Sequence, residues 1–122
     1  MPYDSTTYQP PESQLLLDLR AARAMIADER RWCQHMFVFG DWDGERHCLV
    51  GAISAVTATD TGWDSLPPKS NVLRLRRAWK FLDSITAPDT AMVFNDSHTH
   101  GEVLALVDRA IERAGVQMEV AA

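Results

Sequence analysis

Five consecutive residues, Asp96-Ser97-His98-Thr99-His100, hold the densest set of metal-type donors in the chain. Two histidines spaced by one residue, with an acid two before, supply up to three ligands for zinc or another divalent ion. The same residues also read as a polar turn. Thr99 stands three before Glu102, the spacing of a capping box, which would send His98 and His100 in different directions. The leading expectation is therefore no metal, with zinc on Asp96, His98 and His100 as the alternative.

Cys48 opens the small, apolar run His47 to Val56. At the start of a helix, a thiol next to a base becomes a nucleophile, because the helix end and the base both favour the thiolate. His47 or His98 would be the base and Asn95 or Asp96 the group that orients it. Cysteine in an apolar string is more often packed and inert. The primary reading has no catalytic residue, and the alternative is a small hydrolase built on Cys48, His98 and Asp96. Asp41-x-Asp43-Gly44-Glu45 resembles the start of a calcium loop, but Val50 stands where the motif needs its bidentate glutamate, so a hairpin tip explains it better.

Charge is uneven along the chain. The total is −5, from 12 basic and 17 acidic side chains. Lys69, Arg74, Arg76, Arg77 and Lys80 nevertheless lie together, with no acid between Lys69 and Asp83. Arginine clusters hold phosphates or a partner's carboxylates. Arg74, Arg76, Arg77 and Lys80 are thus the candidate contacts for a protein partner, while the acidic total argues against nucleic acid. Gly-rich phosphate loops, dinucleotide fingerprints, nucleophile elbows and His-Glu-x-x-His are all missing from the sequence.

The elements that position these residues follow from periodicity. After Pro10-Pro11, Leu15, Leu19, Ala22 and Ile26 recur at helical spacing. Met36 to Phe39 is β-prone and leads into Asp43-Gly44, a turn dipeptide, which predicts a hairpin whose second arm is near Arg46 to Leu49. Leu49, Ala52, Ile53 and Val56 predict a short central helix, where Gly51 and Ala55 would admit a close backbone neighbour. Thr57 to Ser70 reads as loop. Val72, Leu75, Trp79 and Leu82 mark a helix ending before Pro88, with Lys69, Arg76, Arg77 and Lys80 on its other side. Ala91 to Phe94 is expected to be a strand or buried turn, and Asn95-Asp96-Ser97 a turn. Val103, Leu106, Val107, Ala110, Ile111 and Ala114 line the last helix, stopped by Gly115, and Val116 to Val120 alternates like a final strand.

The expectation is α+β with helix dominating: about four helices and two or three short strands. Residues 1–11 would be a flexible tail and residues 12–122 one globular domain. The core should hold Leu15, Leu19, Ile26, Phe37, Phe39, Leu49, Ile53, Leu75, Trp79, Leu82, Val103, Val107 and Ile111. No run nears the ~20 apolar residues of a membrane span, and no leader pattern opens the chain. Two cysteines without a secretion signal are expected to be free thiols, so residence in the cytoplasm is expected.

Cys48-Leu49-Val50-Gly51-Ala52-Ile53, then Phe94-Asn95-Asp96, then Glu102 to Ile111 together resemble a family of small uncharacterised proteins found in bacteria and their phages. Those proteins look like a leading amphipathic helix, a Cys-x-x-Gly-Ala helix, and an Asn-Asp turn opening a last helix. The resemblance spans the chain from about Leu15 and implies a fold unit and a phage or mobile-element setting. It implies no chemistry. On these grounds the expected function is a small, non-enzymatic protein-binding module, as a phage or mobile-element accessory or inhibitor protein. The Cys48 or metal-dependent hydrolase is the alternative.

Overall fold

A computed structural model describes residues 11–41, 44–57 and 69–121. Five α-helices and one hairpin follow in the order α1 (Pro11–Ile26), β1 (Val38–Asp41), β2 (Gly44–His47), α2 (Leu49–Thr57), α3 (Lys69–Thr86), α4 (Ala91–Ser97) and α5 (His100–Ala121), with a 3-10 turn at Glu29–Arg31. The fold is mainly helical α+β, as expected, with one helix more. The tail boundary moves by one residue, because Pro11 already belongs to α1. The rest of the expected tail and residues 58–68 of the expected loop lie outside the described residues.

Heptad-like spacing explains the packing. Leu15, Leu19, Ala22 and Ile26 of α1 face Val103, Leu106, Val107, Ala110 and Ala114 of α5, all buried. Leu49, Ala52 and Ile53 of α2 close the third side, with Ala78 and Leu82 of α3 completing the core. Leu75, Trp79 and Ile111 are half-buried and pack against it, so their expected place holds in part. The Trp79 indole N–H is buried with no hydrogen-bond partner among the described residues. Arg23 and Asp108 pair across α1 and α5 at the surface.

Several expectations are corrected. Phe37 and Phe39 lie outside the core, 50% and 43% exposed. Residues Ala91 to Phe94 form no strand: they begin α4, whose first turn is capped by Thr90, the Oγ1 accepting from the Val93 N–H at 3.2 Å. Asn95, Asp96 and Ser97 continue that helix. Residues 116–120 also remain helical, and Gly115 does not stop α5. A Cβ at Gly115 would meet nothing within 4 Å, so this glycine is a weak spot in an exposed helix rather than a terminator.

The hairpin forms, with its first arm starting two residues later than Met36 and its second arm two residues earlier than Arg46. Val38 pairs with His47, Phe39 with Arg46, Gly40 with Glu45 and Asp41 with Gly44. Gly44 has φ +112°, a conformation that suits glycine. Gly51 does admit a close neighbour: a Cβ there would lie 1.9 Å from the Phe37 carbonyl oxygen. The strand entry is thereby seated on the first turn of α2.

Candidate functional site

Cys48 immediately precedes α2 and acts as its cap. Its sulfur accepts the Gly51 N–H at 3.2 Å, its carbonyl accepts the Ala52 N–H at 2.8 Å, and its own N–H donates to Phe37 O at 3.2 Å. The residue is 2% exposed. Burial pushes the thiol above its ordinary value, the Gly51 and Val50 amides oppose that, and the Asp96 charge adds to it. A neutral, capping thiol results. His47, on β2, engages Cys33 through its backbone carbonyl, and its Nε2 reaches Glu45 only at 4.0 Å.

The residues proposed for zinc do not converge. His98 Nδ1 lies 3.0 Å from both Phe94 O and Ser97 Oγ, and its ring stacks on Phe94 at 3.7 Å. His100 Nε2 lies 2.7 Å from Ile26 O, at the end of α1, with its ring 5.3 Å from that of Trp32. A carbonyl only accepts, so His98 Nδ1 and His100 Nε2 act as donors in these contacts. Asp96 instead accepts the His35 N–H at 2.8 Å. Among the described residues, no group of three or more His, Cys, Asp or Glu side chains is placed to hold a metal ion. The capping box does form. Thr99 N–H donates to Glu102 at 2.9 Å and Glu102 N–H to Thr99 Oγ1 at 3.2 Å, and the first of these bonds is the largest influence holding Glu102 below its ordinary pKa.

Asn95 is the residue that sequence reasoning undervalues. It is fully buried, and its Oδ1 accepts from Trp32 Nε1 at 2.7 Å and from Leu49 N at 3.0 Å. Its Nδ2 donates to Cys33 O and to Asp96 Oδ1, both at 3.1 Å. All four hydrogen-bonding positions of the amide are filled. Gln34 adds two bonds, from its Nε2 to Asn95 O at 3.1 Å and His98 O at 3.0 Å, which satisfy carbonyls at the end of α4. A polar knot thus ties the 32–35 segment, the start of α2 and the end of α4 together.

His35 is the other missed residue. Its φ is +69°, uncommon for a residue with a Cβ, and the bond from its N–H to Asp96 holds it there. Its Nδ1 lies 3.8 Å from Asp96 Oδ2. A cleft of about 350 Å³ is lined by His35, Met36, Phe37, Cys48, Met92 and Asp96. The structure therefore brings Cys48 and Asp96 to one cleft, but with His35 in the position expected of His98. No local sequence signal marks this pairing, because Asp96 stands 61 residues away from His35.

On α3 the expected basic group divides. Arg74 is turned to Asp18 of α1, with contacts of 2.6 and 3.1 Å, and Asp18 is only 3% exposed. Gln14 donates to the same carboxylate at 3.0 Å. Arg74 therefore holds two helices together. Arg76, Arg77 and Lys80 are exposed, and Val72 and Leu73 are exposed beside them. The positions 72, 73, 76, 77 and 80 follow helical spacing and form one outward stripe.

No helix among the described residues is long and apolar enough to cross a membrane. Comparison with curated proteins and with solved structures returns no match. A family of unknown function, DUF6197, matches residues 10–113, and the chain belongs to that family.

Proposed function

We propose that this protein is a small, non-enzymatic binding module that docks an acidic segment of a protein partner on the outer face of α3. One observation carries the reading: Val72, Leu73, Arg76, Arg77 and Lys80 form an exposed stripe of two apolar and three cationic side chains on a chain of net charge −5. A cationic stripe on an otherwise acidic molecule attracts carboxylates locally and fixes orientation. The acidic total favours protein over nucleic acid as that partner. The sequence resemblance to small bacterial and phage proteins supports a cytoplasmic, phage or mobile-element accessory role.

The test begins with a photo-cross-linking residue at position 77 of the full chain, expressed in its native host, followed by identification of the captured protein. Affinity of that protein is then measured for the parent and for Arg76→Glu/Arg77→Glu/Lys80→Glu. The expected loss is at least about tenfold, with affinity falling as salt rises. Equal affinity of parent and triple variant, both equally folded, would sink the reading.

One observation favours a second reading, a thiol hydrolase: Cys48, His35 and Asp96 line the same cleft. There, His35 would take the thiol proton while Asp96 holds the imidazole. Alkylation of Cys48 by iodoacetamide, followed across pH in a Cys33→Ser background, separates the two. An activated thiol reacts near neutral pH, whereas a capping thiol raised by burial reacts more slowly than in the unfolded chain.

A further inference from the structure

Among the described residues the sheet ends at β1. The register, together with the bond from Cys48 N–H to Phe37 O, turns the backbone groups of Phe37, Phe39 and Asp41 toward β2. Inward and outward residues alternate in an antiparallel ladder, so Val38 and Gly40 aim their N–H and C=O groups at the open edge. Along that edge, Met36, Phe37, Val38 and Phe39 are 47%, 50%, 50% and 43% exposed. Proteins blunt such edges with lysine, proline or bulges, and none interrupts Met36 to Gly40. A two-stranded hairpin is also marginal by itself.

We propose that a second copy of this chain covers the edge, β1 pairing with β1 about a two-fold axis to give a four-stranded sheet. In the register that the geometry favours, Val38 lies opposite Gly40 of the second copy, and Phe39 lies opposite Phe39. Both outward residues then exchange N–H and C=O bonds, making four hydrogen bonds from three extended residues of each copy. The competing register, centred on Val38, requires Met36 to bond Gly40. Residues 34–37 bend, however, and Met36 O already accepts from the Cys33 thiol at 3.5 Å.

The chosen register is also compatible in charge. The edge from Met36 to Gly40 carries no charged side chain, so two copies meet without repulsion there despite a total of −5 on each. On one face the row runs Arg46, Phe39, Phe39, Arg46, following the Phe39–Arg46 pairing within each hairpin. Three strand spacings keep the two arginines ~14 Å apart, beyond the ~8 Å over which salt leaves surface charges in contact. On the other face, His47 and Glu45 end each row. A central pair of aromatic residues at a non-hydrogen-bonded position is among the better cross-strand contacts.

Sedimentation of the full chain over a concentration series tests the pairing. The expected species is twice the 13.7 kDa chain mass. Phe39→Lys should be monomeric, as should Phe39→Glu, with far-UV circular dichroism and thermal midpoint confirming that each is folded. Mixing the two should restore the dimer, because opposite charges then face each other on the axis. In a Cys33→Ser background, Phe39→Cys should form an intermolecular disulfide on mild oxidation. A parent that remains monomeric up to its solubility limit would overturn the proposal. So would a dimer indifferent to Phe39→Lys, or a mixture of the charged variants that stays monomeric.

Discussion

The buried amide of Asn95 and the exposed ring of Phe39 lie at the two ends of one short connection, and each occupies the environment usual for the other. At the inner end, Trp32, Cys33, Gln34 and His35 are tied to α4 by directed polar bonds, two of them made by the Asn95 amide. At the outer end, Phe37, Val38 and Phe39 are about half exposed, and among the described residues β1 is paired along one side only. The inner end gains from fixed geometry, since each of its polar groups is costly unless matched. The outer end has apolar area not yet removed from water. The difference teaches that the inner end is built to hold a shape, and the outer end to be covered.

The largest effect should come from cutting the inner knot. Asn95→Ala leaves the Trp32 indole N–H, the Leu49 N–H and the Cys33 carbonyl without their partner. Unsatisfied buried groups cost ~1–3 kcal/mol each, so a loss of about 4 kcal/mol is expected after partial relaxation. Urea denaturation measures it, and a loss below ~1 kcal/mol would mean that water replaces the amide freely.

Arg74→Met extends the contrast to the other buried polar contact. Among the described residues, Gln14 would then be the remaining partner of the Asp18 carboxylate. Breaking a buried pair costs ~3–5 kcal/mol, and because the Arg74 side chain is 32% exposed solvent screening reduces that to about 2–3 kcal/mol. Asp18→Asn in the same background should recover part of the loss. No recovery would show that packing by the arginine stem, not its charge, binds α1 to α3.

Gly51→Ala probes the joint between the two ends. In an ordinary helix the change stabilises by about 1 kcal/mol. Here the new methyl meets the Phe37 carbonyl at 1.9 Å, so the strand entry must move off α2. A net cost of about 2 kcal/mol is expected, in the range for overpacking. Stabilisation instead would show that the hairpin slides away without penalty.

How much of this could be read in the sequence depends on the range of the interactions. α1, α3 and α5 were legible because their apolar positions repeat locally. The hairpin was legible from a β-prone run and an Asp-Gly turn. Helix α4 was not, since seven residues containing Val93 and Phe94 resemble a strand, and its cap at Thr90 is a single weak signal. The polar knot was invisible for a different reason: Asn95 meets Trp32 and Leu49 from 63 and 46 residues away. Pattern reasoning placed Phe37 and Phe39 inside because aromatic residues in a strand usually are. Nothing local says that this strand has two wet faces. In the Asp96 to His100 group the capping box of Thr99 and Glu102 is legible from its spacing, whereas the contacts of His98 and His100 are not, because His100 meets Ile26 from 74 residues away.

The smallest effect is expected at the outer end, and a paired substitution makes it informative. Val107→Thr and Val38→Thr exchange the same methyl for the same hydroxyl. Val107 is fully buried against α1, so its new hydroxyl must lose water or find a carbonyl within its own helix, for a cost of ~1–3 kcal/mol. Val38 is half exposed, and threonine is also β-branched, so strand preference is kept and the hydroxyl stays hydrated. In dilute, monomeric protein the change at Val38 should lie within ~0.5 kcal/mol of the parent. At concentrations where two copies associate, any larger penalty at Val38 must come from the covered edge. A Val38→Thr cost that grows with protein concentration, beside a Val107→Thr cost that does not, would separate apolar surface kept for a partner from apolar surface kept for the core. Equal costs at both sites in dilute solution would instead mean that β1 packs inward, and the contrast between the two ends would be lost.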